Sequence, residues 1–258
     1  MVRFSSYAET VVAVIVLAAL PDTRTIAAAM ETRQSARLSD SLHHVDHVIL
    51  GVGDLDAGMV EFERLTGVRP AKGGEHPGRG TQNALVSLGG GTYLEILAPQ
   101  TNARREGDVA SLFAMQQLTA WGWAVRTRDI RASAARLKAA GIATTEPRAG
   151  SRKTLAGPML AWTTVGITTP ALTFNPFLIQ WGEGTVHPSS SAPAGCSLVR
   201  AEAGDSNMVA LRALIQALVV PMGFAGEAHA SGMAGSSRSS LSFTLLCPAG
   251  HVAFRSRH

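Results

Sequence analysis

The sequence predicts an α+β fold assembled from related strand–helix–strand units. Three observations carry that expectation. A strand, a helix and two further strands follow one another between His44 and Pro99. The Asp54-Leu55 opening and Gly67 stop of that helix recur about 75 residues on, as Asp129-Ile130 and Gly141, which is the mark of an internal duplication. Past a Pro/Ser-rich linker, a strand, an amphipathic helix and a hairpin make a shorter third unit of βαββ type.

At 258 residues, 46% hydrophobic and 16% charged, the chain has ample material for one large core or two small ones. The net charge of +4 is scattered, with Arg104-Arg105 and the Arg126, Arg128, Arg131 group as its densest points. Nucleic-acid binding calls for a basic stripe with stacking aromatics, and aromatics make up only 5% of this chain. Solvated surface charge is the expectation, with no nucleic-acid partner.

Taken in order, residues 1–42 read as leader and linker. Thr10 to Leu20 is an apolar run too short for a bilayer core of about 30 Å, so no transmembrane span is expected. Arg3 precedes the run, and Ala27-Ala28-Ala29 places small residues before Met30, which is the outline of a secretory signal peptide. Glu9 and the long gap to the alanines depart from that outline. The expectation is export, periplasmic or secreted; the alternative is a cytoplasmic protein with an unstructured leader or an extra surface helix.

Residues 43–183 read as a two-unit domain. Val45 to Val52 is a β-branched, apolar run, as suits a strand covered on both faces. Strict alternation places His47 with Val45 and Ile49, opposite Val48, Leu50 and Val52. Asp54 caps a helix whose Leu55, Met59, Phe62 and Leu65 recur at helical spacing, and Gly67 ends it. A Gly/Pro-rich loop follows. Gln82 to Leu88 and Thr92 to Ala98 then form strands joined by Gly89-Gly90-Gly91. Tyr93, Glu95 and Leu97 share one face of the second. A short helix is expected around Leu112, Phe113 and Met115. Gly122 to Thr127 then opens the second unit, with Ala134 and Leu137 inward on its helix. Leu155 to Ile167 and Thr173 to Trp181 supply further strands, and Pro176 suits an edge or strand-entry position.

Residues 184–258 read as a linker and a half-unit packed on the pair. His187 to Pro193 is linker by composition, and Cys196 to Ala201 forms a strand. Met208 to Val220 is an amphipathic helix with Leu211, Leu214, Ile215 and Leu218 on one stripe, too small a core to stand alone. Gly226 to Ser240 is a flexible connection. Ser240 to Cys247 and His251 to Phe254 form a hairpin. Cys196 and Cys247 fall in strands that can be neighbours, and export would let them pair. Two buried thiols are the expectation from so small a count.

Asp46-His47-Val48, Asp54-Leu55 and Tyr93-Leu94-Glu95-Ile96 together resemble the vicinal oxygen chelate superfamily, in its glyoxalase-like branch. The resemblance spans residues 43 to 183. It implies two βαβββ units forming an open, cup-shaped sheet around a small-molecule pocket, of the glyoxalase/bleomycin-resistance/dihydroxybiphenyl-dioxygenase kind. It also implies a divalent metal, of unspecified identity, with one ligand from the first and one from the last strand of each unit. His47 and Glu95 stand at those places in the first unit. In the second, Gly122 or Trp123 falls opposite His47, and Gln180 opposite Glu95, so Gln180 is the remaining candidate ligand.

Three functions follow from the resemblance. One is a metal-assisted lyase or isomerase acting on an oxygen-chelating substrate, with Glu95 as ligand and His47 as ligand or proton-transfer partner. The second is a metal-free protein that sequesters a small molecule. The third is a ring-cleaving dioxygenase, whose second His is missing here. Without a metal, His47 reads as a hydrogen-bonded strand residue and Glu95 as a carboxylate in a wet pocket. The loop from Glu75 to Asn83 is either an exposed turn or a place where His76 or Arg79 meets an anionic or carbonyl-bearing ligand. Asn83 and Ser87 share the face directed at the cup, and Trp123 is expected as an apolar wall of it.

Overall fold

Strand β1 (His44–Gly51) is buried from Val45 onward and lies mid-sheet, parallel to β4 (Tyr93–Pro99) and antiparallel to β5 (Thr119–Arg126). Neighbours on both edges and cover on both faces account for its apolar run. A bulge between Val45 and His47 breaks the alternation. Val45 joins Val48 and Leu50 in the main core, whereas Ile49 packs on the opposite face, in a second cluster with Leu97 and Leu112. The expectation that Val45 shares a face with His47 is thereby corrected, since a bulge inserts one residue and re-aims the next side chain.

The computed structural model describes residues 44–154, 157, 159–218, 223–224 and 239–256. The leader, the Met30 to Leu42 linker and nearly all of the connection from Gly226 to Ser240 lie outside the described residues. Helix α1 (Leu55–Thr66) starts at Asp54, whose Oδ1 accepts from the Ala57 N–H at 2.8 Å, a cap that contributes about 1 kcal/mol. It ends at Gly67, whose φ of 75° lies in the left-handed region that glycine adopts without penalty.

Strands β2 (Ala71–His76), β3 (Thr81–Ser87) and β4 complete the first unit. The expected Gly/Pro-rich loop is therefore largely strand β2. Tertiary pairing with β3, across a bulge between Lys72 and Gly74, overrides the poor local propensity of Gly73-Gly74. Helix α2 (Gly107–Phe113) leads to β5, and α3 (Ile130–Ala139) is capped by Asp129, which accepts from the Ala132 N–H at 2.9 Å. The second unit ends with β6 (Arg148–Lys153), β7 (Met159–Gly166) and β8 (Phe177–Trp181). Pro176 stands immediately before β8, at strand entry. The polar, largely exposed β6 has no apolar alternation to announce it.

These strands form one eight-stranded sheet in the order β2-β3-β4-β1-β5-β8-β7-β6, curved into a nearly closed cup. Arg152 of β6 donates to the Gly73 carbonyl of β2, linking the two outermost strands. The segment after β8 is more than a linker. It holds a one-turn helix, α4 (Pro188–Ser191), and is pinned to β3 where Ser87 Oγ donates to the Ser189 carbonyl at 2.6 Å and the Ser87 N–H to the Pro193 carbonyl at 2.8 Å.

The third unit comprises β9 (Ser197–Gly204), α5 (Met208–Leu218), β10 (Gly223–Phe224), β11 (Ser240–Cys247) and β12 (Gly250–Arg255), with sheet order β10-β9-β11-β12. Leu211, Leu214, Ile215 and Leu218 are buried in the main core together with Val48 and Phe62. Phe62 and Phe254 stack with ring centroids 5.7 Å apart. Cys196 and Cys247 are joined in a disulfide, which corrects the expectation of two thiols. Antiparallel pairing of β9 with β11 brings Ser197 opposite Leu246 and sets the two cysteines side by side.

Candidate functional site

Inside the cup, a cavity of about 70 Å³ is lined by His47, His76, Asn83, Tyr93, Glu95 and Arg152 on its polar side. Phe177, Ile179, Trp162 and Trp181 form the apolar side, with Thr164 and Arg79 completing the wall. Alternation along β8 explains part of this lining. Phe177, Ile179 and Trp181 face inward, and Leu178 between them enters the main core.

The bulge in β1 sets the chemistry of the floor. Asp46 is fully buried, and three donors surround its carboxylate. Oδ1 lies 2.7 Å from His47 Nδ1, while Oδ2 lies 3.0 Å from both His187 Nε2 and Trp181 Nε1. Burial alone would raise this carboxyl, but hydrogen bonds and charge from His187 and His47 outweigh it and hold the group well below the usual carboxylate range. The Ser189 N–H reaches His187 Nδ1 at 3.2 Å, and a backbone N–H only donates, so His187 gives its Nε2 proton to Asp46. Ionised Asp46 likewise accepts a hydrogen bond from His47 Nδ1–H, which leaves Nε2 of that ring toward the cavity.

His47 Nε2 stands 3.6 Å from Glu95 Oε2. The imidazole is held flat against Tyr93, with centroids 4.5 Å apart, and edge-on to Phe177. Glu95 Oε1 accepts from Asn83 Nδ2 at 2.6 Å, and the same amide donates to His76 Nε2 at 3.2 Å. His76 then donates its Nδ1 proton to Thr81 Oγ1, 2.9 Å away. Burial pushes the His76 pKa down, against the pull of Glu95 and with help from Arg152 and Arg79, so the ring favours its neutral form. Gly73 makes this arrangement fit, because a Cβ there would lie 2.3 Å from Asn83 Oδ1. Arg152, almost fully buried, brings a cation beside Glu95; burial lowers its pKa, and the charges of Glu95 and Tyr93 raise it.

The structure thus brings together His47, Glu95, His76, Asn83 and Arg79, all singled out from the sequence. Three others stand elsewhere, and Ser87, expected to face the cup with Asn83, instead donates its hydroxyl to the Ser189 carbonyl. Gln180 points away from the cavity, and its Oε1 accepts from the Ile130 N–H at 2.9 Å at the start of α3. The expected counterpart of Glu95 is therefore corrected: β8 presents apolar side chains where a second ligand was sought. Trp123 pairs in register with Val48 and sits in the main core; it does not line the His47 cavity but borders a second one, beside Ile49 and Phe177. Asp46, Tyr93, Arg152, Trp162 and His187 went unremarked as site residues. Two of them had a readable signal: Asp46 as a charge within the apolar first strand, and Tyr93 two positions before Glu95 on one strand face.

Residues 45–219 match the family of the glyoxalase-like domain. The chain belongs to that family. It is by the same finding a vicinal oxygen chelate protein. A hypothetical protein from Staphylococcus aureus has a similar fold at TM-score 0.55 and 16% identity, over 84% of this chain and 86% of that one. Methylmalonyl-CoA epimerase from Mycobacterium tuberculosis is similar at TM-score 0.42 and 20% identity, over 53% of this chain and 86% of that one. No curated protein matches the sequence.

The superfamily's divalent metal is not matched by the donor set of this glyoxalase-like domain. Among the described residues, no three His, Cys, Asp or Glu side chains form a group that could hold an ion. His76 Nε2 is occupied by the Asn83 amide, and the half of the cup opposite Glu95 offers Phe177, Ile179 and Trp181. A four-donor centre needs more nitrogen and oxygen than His47 and Glu95 supply. Also among the described residues, no helix of the domain is long and apolar enough to cross a membrane.

Proposed function

We propose that this glyoxalase-like protein is an acid–base enzyme of lyase or isomerase type, moving a proton on a small molecule that carries a carboxylate beside a carbonyl. The observation that carries this reading is the buried line Asp46–His47–Glu95, which ends at the cavity. His47 Nε2 takes a proton from the carbon next to the carbonyl, and its electron pair moves onto the carbonyl oxygen to give an enolate. Asp46 holds the ring in place and offsets the charge of the imidazolium. Arg152 faces the developing negative oxygen, where a buried cation acts with little solvent screening. Glu95, 3.6 Å from Nε2, takes that proton from the imidazolium, which restores neutral His47, and returns it to the neighbouring carbon or oxygen of the enolate.

The test is exchange of carbon-bound hydrogen in D2O, followed by NMR with pyruvate and other short 2-oxo and 3-oxo acids, in the presence of a chelator. His47→Gln and Glu95→Gln should each slow exchange by about 10²–10⁴-fold, the usual contribution of a positioned acid or base. Exchange no faster than buffer in the parent protein, with the acids still bound by calorimetry, would replace this reading by sequestration. That alternative draws its support from the apolar wall of Trp162, Phe177, Ile179 and Trp181.

The reading extends to location. Two features support an oxidising compartment: the Cys196–Cys247 disulfide and the apolar run with its alanines ahead of Met30. Protein from its own host should start between about Met30 and Arg37 and leave both cysteines unmodified by an alkylating reagent until reduced. An intact residue 1 on a chain with two free thiols would contradict export.

A further inference from the structure

We propose that the ligand of this protein has two parts: the small anionic head assigned above, and an apolar tail of medium length lodged in a second cavity that adjoins the first. This rests on the acid–base reading for the head alone. The second cavity is an open cleft of about 470 Å³, within the range of small-molecule sites, and shares Arg79 and Phe177 with the head cavity. The head cavity, at about 70 Å³, is far smaller than the roughly 150 Å³ that admits benzene, so it takes only a few atoms. A ligand confined to it would leave the larger space to water.

Strand pairing explains why the second cavity exists. β5 pairs with β8 only from Ala124 to Arg126, so the half of β5 from Thr119 to Trp123 meets no strand on that side among the described residues. The turn before β8 crosses the gap instead, bringing Phe174 to its wall. Ile49, Met115 and Trp121 face it from the other side, and Met115, Trp121, Phe174 and Phe177 are only half-buried. Thr119, Thr173 and Asn175 give the cleft a polar border, and the large apolar side chains left part-open within it favour an apolar occupant, because covering them removes that surface from water. Gly122 lies in the same wall, and a Cβ there would touch only Ile49 Cδ1, at 3.6 Å. The strand leaves room at this point. On the opposite side of the head cavity Arg152 closes the seam by its bond to the Gly73 carbonyl, so a chain starting at Glu95 extends past Arg79 and Phe177.

Calorimetric titration with butanoate, hexanoate, octanoate and decanoate tests this, with octanol as the uncharged control. Kd should tighten by about three- to fourfold for each added methylene, the value for transfer from water to an apolar site, and octanoate should bind more tightly than octanol. Gly122→Leu should bring the Kd of octanoate toward that of butanoate. If that variant does not fold, Trp121→Ala should weaken octanoate in its place. Butanoate binding with no gain along the series would overturn the tail and leave the head reading standing. A gain with chain length in which octanol equals octanoate would overturn the anionic head, and the proposed function with it. An unchanged series in a folded Gly122→Leu protein would place the tail elsewhere and overturn the proposal.

Discussion

Asp46 is a fully buried carboxylate at the floor of the site. A carboxylate removed from water is costly unless donors surround it, and here His47, His187 and Trp181 do so. His76 shows the converse case, a ring that burial keeps from gaining charge. Its folded-state pKa lies below the ordinary 6.5, so the unfolded chain binds more protons as pH falls through that value. The stability tied to His76 is fully present above about pH 6.5 and is lost on acidification toward the folded value. Urea midpoints at pH 7.5 and 5.5 should therefore converge more closely in His76→Gln than in the parent chain. Equal pH sensitivity in the two proteins would show that His76 titrates freely in the fold.

The third unit shows what an element contributes when it cannot stand alone. The stripe of α5 buries Leu211, Leu214, Ile215 and Leu218 in the core that α1 and β1 also build. Leu214→Ala should cost about 2–5 kcal/mol in chemical denaturation, the range for emptying a buried leucine site. A loss below about half a kcal/mol would mark the helix as peripheral. This helix was legible because its apolar residues recur at a period that only a helix satisfies, and α1 was legible for the same reason and for its Asp and Gly ends. β2 and β6 were not. Both lie at the rim of the sheet, where one of them carries Gly-Gly and the other the mostly polar run Arg-Ala-Gly-Ser-Arg-Lys, so that pairing with β3 and β7 decides their structure. Helix α4 was hidden by Pro and Ser, and its anchoring to Ser87 and Asp46 depends on contacts 102 and 141 residues apart in sequence.

At the scale of the molecule, duplication was readable from the repeated Asp-to-Gly spacing, and the eight-stranded cup followed from the family resemblance. The two halves have diverged in what they present to the interior. His47 and Glu95 could be picked out, since polar residues in apolar strands are conspicuous. Arg152 could not, because it sits in a strand where charge is ordinary, and its burial comes from the sheet curving back on itself. That curvature has a consequence for how the protein behaves in company. The outermost strands of an open sheet carry unpaired amide and carbonyl groups, ready templates for another chain. By tying β6 to the Gly73 carbonyl of β2, Arg152 joins those two rims, and so a side chain that lines the candidate site also leaves less open edge on which neighbouring copies could add strand upon strand.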